Sequence, residues 1–128
     1  VRLAVNAETG KRPTRNVLAD TPVSSDGSLI VIGAHLDSVP EGPGINDNGS
    51  GSAAVLEAAL RLARKPTQAR GRMRFAFWGA EESGLVGSRH HVNTLSEDER
   101  RRIVLYINLD MVGLAQLRAL CSGLCCDR

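Results

Sequence analysis

An apolar run, Ser-Leu-Ile-Val-Ile-Gly-Ala, occupies residues 28–34. It is of strand length and nearly continuous in apolar residues, which is typical of a strand buried on both faces of a parallel sheet. Strand signals also occur at residues 16–19, 72–79 and 103–111. Because Phe, Trp and Tyr are few, we predict a four-stranded sheet whose core is built from Val, Leu, Ile and Ala.

Helices are predicted between the strands. The first follows a Gly- and Pro-rich loop, residues 39–51, and runs to about Lys65, where Pro66 stops it. A broad apolar stripe should pack it on the sheet: Val55, Leu56, Ala59, Leu60, Leu62 and Ala63. A short helix to about Leu95 and a helical turn with the capping-box pattern of residues 96–99 come next. Alternating strands and helices predict a right-handed parallel α/β sheet.

Composition excludes several classes of protein. The 128 residues have room for one small domain. Sixteen basic residues against fourteen acidic ones give a net charge of +2, and the basic residues are scattered, so nucleic acid is not expected as a partner. No apolar run approaches the roughly 18 residues of a membrane span. We also expect no signal segment in this chain.

Ionisable residues lie at the carboxyl ends of the predicted strands and at the start of the first helix. They are His35, Asp37, Asp47, Glu81, Glu82 and Asp110. Each alone has an ordinary structural explanation: His35 could be a core histidine, and Asp47 a helix N-cap. Together they fall at the edge where an open α/β sheet forms its ligand site. Clustered carboxylates repel one another unless a cation compensates them, so we predict a metal site.

The donor types indicate which metal and which roles. One imidazole with several carboxylates suits zinc, and the number of carboxylates suits two metal ions. Glu81 and Glu82 are neighbours in a chain predicted to be extended, so they should point in opposite directions. One would then bind metal while the other faces the substrate as general base. Asp37 should point to the same side as His35 and accept the proton of the far imidazole nitrogen.

Motifs around these residues are recognisable. They are Ala34-His-Leu-Asp-Ser-Val39, Gly44-Ile-Asn-Asp-Asn-Gly-Ser-Gly51, Trp78-Gly-Ala-Glu-Glu-Ser-Gly84 and Asn108-Leu-Asp-Met-Val-Gly113. In order and spacing, residues 16–113 resemble the bacterial secreted di-zinc aminopeptidases, a family of co-catalytic zinc exopeptidases. The resemblance implies a three-layer α/β sandwich with a mostly parallel central sheet, truncated at its carboxyl-terminal side. Residues 1–113 would form an incomplete zinc peptidase domain.

The resemblance also implies a role for each site residue. Asp47 would bridge two zinc ions, and the peptide bond after it would be cis. His35 and Asp110 would complete the protein ligands of the first ion, and Glu82 would bind the second. Glu81 would be the general base, taking a proton from the attacking water and passing it to the leaving amine.

The resemblance is incomplete in two respects. The second zinc of the family takes a further His ligand, and an adjacent Tyr assists catalysis; both lie downstream of the positions present here. His90 and His91 fall in the short helix and are expected on the surface. Residues 114–128 form a divergent tail with all three cysteines, Cys121, Cys125 and Cys126, in a spacing that matches no zinc-finger pattern.

The implied function is that of a zinc-dependent exopeptidase. It would remove amino-terminal residues from peptide substrates that carry a free amino terminus, in a secreted or extracytoplasmic location. Two alternatives stay open: a noncatalytic, metal-poor fragment or scaffold of the same fold, and a glutaminyl-cyclase-like enzyme. The sequence predicts neither the oligomeric state nor the substrate side-chain preference, and it leaves open whether this chain alone is active.

Overall fold

A four-stranded sheet organises the computed structural model, which describes residues 2–22, 27–64 and 71–113. Its strands are β1 (Val17–Asp20), β2 (Leu29–His35), β3 (Arg72–Trp78) and β4 (Ile103–Asn108). Their spatial order is β1-β3-β2-β4. β2 runs parallel to both β3 and β4, whereas β1 pairs with β3 in the antiparallel sense. The predicted mostly parallel sheet is therefore confirmed, with β1 as the exception.

In the part of the chain that the structure describes, three α-helices connect the strands: α1 (Gly51–Arg64), α2 (Val86–Thr94) and α3 (Glu97–Arg102). The capping box predicted for α3 is present. Ser96 Oγ accepts a hydrogen bond from the Glu99 amide at 3.2 Å, and a Glu99 carboxylate oxygen accepts one from the Ser96 amide at 2.7 Å. The predicted stop of α1 at Pro66 lies outside the described residues. No helix in the described ranges is long and apolar enough to cross a membrane.

The helices lie on both faces of the sheet. Val55 of α1 packs in one apolar cluster with Phe75 of β3. On the other face, the His91 ring of α2 lies 5.3 Å from the Trp78 ring, measured between centroids. Because Phe75 and Trp78 are an odd number of residues apart on one strand, they point to opposite faces. The three-layer sandwich implied by the resemblance is confirmed.

The core differs from the predicted aliphatic one. Phe75 and Trp78 are buried, at 3% and 5% exposure, so large rings supply part of the interior. The Trp78 ring fits there because Gly33 on the neighbouring strand has no side chain: a Cβ on Gly33 would lie 2.6 Å from Trp78 Nε1. The predicted stripe of α1 is too broad, since Leu56 and Leu60 are exposed. The sheet contacts a narrower strip of the helix.

β4 is an edge strand of the sheet, and most of its apolar side chains are exposed. Among the described residues β4 pairs with β2 alone, and Val104 is 63% exposed and Leu105 is 47% exposed. The two ends of this segment do turn inward: Ile103 packs against the cluster that contains Trp78, and Leu109, just after the strand, packs against the cluster under α1. The strand also ends at Asn108, three residues before the predicted end at Met111, which leaves Asp110 in the segment that follows.

Candidate metal centre

His35 is the centre of the acidic cluster. It is the last residue of β2 and is 3% exposed. Its Nε2 lies 3.1 Å from Asp47 Oδ1, 3.5 Å from Asp110 Oδ1 and 3.9 Å from Glu81 Oε2. The acids come from the ends of neighbouring parallel strands and from the loop before α1. The sheet thus brings them to one edge, as the strand order requires.

Two sets of side chains could each hold a metal ion. The first is His35, Asp47 and Asp110, and the second is His35, Glu81 and Glu82; in each set the ligand atoms lie within 4.8 Å of one another. A nitrogen donor with carboxylate oxygens at this spacing fits zinc. Both sets share one imidazole, and a single free nitrogen can bind only one ion. Two ions in this site would therefore need a further ligand.

Asp37 contacts the imidazole differently from the prediction. His35 Nδ1 lies 2.9 Å from the backbone oxygen of Asp37 but 3.8 Å from its carboxylate Oδ1, so the carboxylate is not the hydrogen-bond partner. Since a carbonyl only accepts, Nδ1 must carry a proton, and Nε2 is the ring nitrogen that faces the acids.

The Asp37 carboxylate instead holds the loop that carries the two glutamates. Its Oδ1 accepts a hydrogen bond from the Glu81 amide at 2.8 Å, and its Oδ2 accepts one from the Glu82 amide at 3.1 Å. One side chain on the β2 end thereby fixes two consecutive backbone amides after β3. The sequence assigned Asp37 to the site but not to these partners.

The prediction that Glu81 and Glu82 point in opposite directions is wrong. Both carboxylates reach the neighbourhood of His35. The chain is not extended here, because the Gly84 and Leu85 amides both donate to the Glu81 carbonyl at 2.8 Å and close a turn. Alternation of side chains holds only for extended backbone. In a turn, neighbouring side chains can share a face.

The electrostatics of the cluster favour a bound cation. Burial alone would lower the pKa of His35, but the Asp110, Glu81 and Asp47 carboxylates and the Asp37 carbonyl outweigh it and raise the pKa. The pKa of Glu82 is also raised, first by desolvation and then by the Asp47 and Glu81 charges. Such mutual repulsion is relieved when a divalent cation occupies the site.

Asp47 lies in an irregular helical turn, Ile45–Ser50, in which Asp47 and Asn48 have non-helical backbone angles. The peptide bond between these two residues is cis, as the resemblance implied. Asn48, not Asp47, supplies the capping oxygen of α1: its Oδ1 accepts from the Gly51 amide at 3.0 Å. The Asp47 carboxylate is thereby left to face His35.

Asn48 is a site residue that sequence reasoning missed. Its side chain is 2% exposed and also reaches the segment after β4, donating to the Leu109 carbonyl at 2.9 Å and accepting from the Met111 amide at 3.4 Å. Asn46 makes a parallel link, since its Oδ1 accepts from the Gly113 amide at 3.1 Å. These amides join the loop of Asp47 to the segment of Asp110. The only signal in the sequence is the Asn-Asp-Asn pattern itself.

We expect the substitution Asn48→Ala to lower the free energy of unfolding by about 3 kcal/mol, because it leaves the half-buried Leu109 carbonyl and the buried Gly51 amide without their Asn48 partners. Urea unfolding of the full chain measures the change. The matched control is Asn93→Ala on the exposed side of α2, expected to change the free energy by no more than about 0.5 kcal/mol. A loss for Asn48→Ala as small as that of the control would contradict the bridging role.

The remaining histidines do not join the site. His90 is exposed, as predicted, but His91 is buried at 9% exposure, which corrects the prediction for this residue. Its ring packs on Trp78, and Arg74 Nη1 lies 3.4 Å from its Nε2. Burial first, and then the Arg74 charge, lower the pKa of His91. The cysteines Cys121, Cys125 and Cys126 lie outside the described residues.

Comparisons with known proteins identify relatives that match most of this chain. Residues 16–123 match Peptidase family M28. The chain is 54% identical over 109 residues to the probable lipoprotein aminopeptidase LpqL of Mycobacterium tuberculosis, an overlap of 85% of this chain and 22% of that protein. It is 51% identical over 114 residues to an aminopeptidase of Pseudomonas aeruginosa, covering 88% of this chain and 21% of that protein. The chain thus spans about a fifth of the length of these relatives.

Solved structures give the same result. A zinc aminopeptidase from Bacillus subtilis superposes with a TM-score of 0.70 at 42% identity, covering 76% of this chain and 24% of that one. An aminopeptidase from Aneurinibacillus sp. strain AM-1 gives a TM-score of 0.69 at 40% identity, covering 75% and 24%. The sheet order, the cluster around His35 and these similarities agree with one another. The chain therefore belongs to peptidase family M28.

Proposed function

We propose that this chain carries the catalytic metal centre of a zinc-dependent aminopeptidase, which removes amino-terminal residues from peptides. The observation that carries the proposal is the cluster of carboxylates around the buried His35 at the carboxyl edge of the sheet. The relatives named aminopeptidases, and the neighbour named a zinc aminopeptidase, support it. We also propose that residues 1–113 are the peptidase part of the chain, acting in a secreted or extracytoplasmic location.

The donor set suggests how zinc would be shared. His35 Nε2, Asp47 and Asp110 would hold one ion. Asp47 and Glu82 would supply two ligands of a second ion, which needs a further ligand. His35 serves only the first, since its Nδ1 is engaged by the Asp37 carbonyl. Zinc, when bound, acts as a Lewis acid and lowers the pKa of water. The remaining steps depend on the residues of the chain.

Glu81 is the residue we assign as general base. Its carboxylate lies beside the cluster, with Oε2 3.9 Å from His35 Nε2, and its backbone is fixed by Asp37. A carboxylate held there can accept a proton from the attacking water and return it to the leaving amine. Asp37 acts through this loop and through the His35 tautomer, so we assign it as a positioning residue.

A free amino terminus is the substrate feature that this site should recognise. The cluster concentrates negative charge on an edge where Glu82 is exposed. A protonated α-amine would be attracted to such a surface, whereas an acetylated amine carries no charge. Peptides with a free amino terminus are therefore the proposed substrates.

The test compares leucyl peptides with free and acetylated amino termini, incubated with the full chain and zinc, with released leucine and N-acetylleucine measured by mass spectrometry. We expect release only from the free peptide, loss of release with a chelator, and recovery when zinc is restored. Equal cleavage of both peptides would overturn the aminopeptidase assignment. Zinc binding without any release would show a noncatalytic metal-binding chain and overturn the proposed catalysis.

A further inference from the structure

The loop between β3 and α2 carries Glu81 and Glu82 and is closed at its base. The Gly87 amide donates to the Gly79 carbonyl at 3.0 Å, and the Val86 amide donates to the Ala80 carbonyl at 3.0 Å. The chain thus leaves the sheet and returns to nearly the same place. The position of this base therefore determines the positions of the Glu81 and Glu82 carboxylates.

Asn16, which precedes β1, joins the two ends of this loop. Its Oδ1 accepts a hydrogen bond from the Gly79 amide at 3.1 Å, and its Nδ2 donates to the Gly87 carbonyl at 2.8 Å. The fit leaves no spare room: a Cβ on Gly87 would collide with Asn16 Oδ1 and the Gly79 carbonyl, and one on Gly79 would collide with Thr14 Oγ1. The segment before β1 is therefore packed against the base of the loop.

The loop needs such outside contacts because its own backbone is disfavoured. Ala80 and Leu85, which flank the glutamate turn, have left-handed backbone angles, with φ of 55° and 61°. Residues other than glycine rarely adopt this conformation, and it persists only where the surrounding structure enforces it. Asn16 at the base and Asp37 at the Glu81 and Glu82 amides supply that enforcement.

We propose that Asn16 is a positioning residue for the Glu81–Glu82 end of the metal centre. It holds the base of the loop so that both carboxylates stay within reach of His35. The inference rests on the proposed zinc function and adds a residue outside the acidic cluster. Both groups of the amide are needed, because one hydrogen bond uses its acceptor and the other its donor.

An aspartate at this position separates the two contacts. Asn16→Asp keeps the oxygen that accepts from Gly79 but replaces the donor with an oxygen that faces the Gly87 carbonyl. Its shape is nearly unchanged, so the loop base loses one hydrogen bond and meets a repulsion. Asn93→Asp, on the exposed side of α2, adds the same charge away from the loop and is the matched control.

The experiment uses the ¹⁵N-labelled full chain and two nuclear magnetic resonance measurements. Without metal, amide exchange at Gly84 and Gly87 should become faster in Asn16→Asp and stay unchanged in the control. In a titration with zinc chloride, the Glu82 amide should respond only at about 10-fold to 100-fold higher zinc, the usual effect of losing a supporting hydrogen bond. The Met111 amide, beside Asp110, should respond at the same zinc concentration as in the unaltered chain.

Different failures have different meanings. Unchanged exchange and an unchanged Glu82 response would overturn the role of Asn16 while the zinc function stands. Equal weakening at Glu82 and Met111, with a lower thermal midpoint, would show an ordinary structural residue and also overturn it. No zinc response at Met111 in the unaltered chain would overturn the proposed function, and the inference with it. If Asn16→Asp does not fold, Asn16→Ser is used to compare the zinc responses of the Glu82 and Met111 amides. The shorter serine side chain cannot make both contacts of the Asn16 amide, and it adds no charge.

Discussion

Replacing Asp47 by alanine should abolish zinc retention by the full chain. Asp47 Oδ1 is the carboxylate oxygen nearest to His35 Nε2, at 3.1 Å, and Asp47 is the ligand that we assign to both ions. Without it, the first set keeps only His35 and Asp110, whereas a catalytic zinc ion ordinarily takes three protein ligands. Elemental analysis after dialysis against trace zinc measures the loss directly.

The same substitution should remove the stabilisation that zinc gives to the folded chain. A ligand present at 100 times its dissociation constant stabilises the folded state by about 2.7 kcal/mol. For a chain of this size that is a rise in Tm of roughly 10 °C. We expect the rise in the unaltered chain and in the control Glu41→Ala, an exposed acid of the preceding loop. An equal rise in Asp47→Ala would remove Asp47 from the site.

The position of the cluster could be predicted because it depends only on the order of strands. Parallel pairing of β2 with β4 brings His35 and Asp110 to one edge. Local patterns suffice to find those strands and the capping box of α3. The same reasoning fails once the backbone leaves regular structure. Strand alternation predicted Glu81 and Glu82 on opposite sides. No residue pattern around them indicates a turn, and the structure has one, flanked by the left-handed residues Ala80 and Leu85.

Hydrogen bonds between distant segments were the other feature beyond the reach of sequence. Asn16 contacts Gly87 across 71 positions, and Asn48 contacts Leu109 across 61. Asparagines in loops follow no periodicity, so a side chain that joins two segments looks like any polar loop residue. His91 shows the reverse case. It reads as a surface residue on a short polar helix, and only the placement of α2 over Trp78 buries it.

Replacing Glu81 by glutamine should lower the release of amino-terminal leucine by about 10²-fold to 10⁴-fold, the usual contribution of a general base. Glutamine has the same shape but does not take up a proton at neutral pH. Because Glu81 is not among the ligands that we assign to either ion, zinc retention should stay at the level of the unaltered chain. Leucine release and zinc content, measured on one preparation, give both quantities.

Glu82→Gln is the informative partner of this experiment, because the turn after β3 brings both carboxylates near His35 and geometry alone does not rank them. We expect Glu82→Gln to reduce zinc retention as well as leucine release, since this residue is assigned to the second ion. The opposite result, with zinc lost in Glu81→Gln and kept in Glu82→Gln, would exchange the two roles. Glu41→Gln should change neither quantity, because this exposed acid lies outside both metal-binding sets. If Glu41→Gln also lowered zinc retention or leucine release, the losses in the other two variants would be due to the change in overall charge rather than to the site.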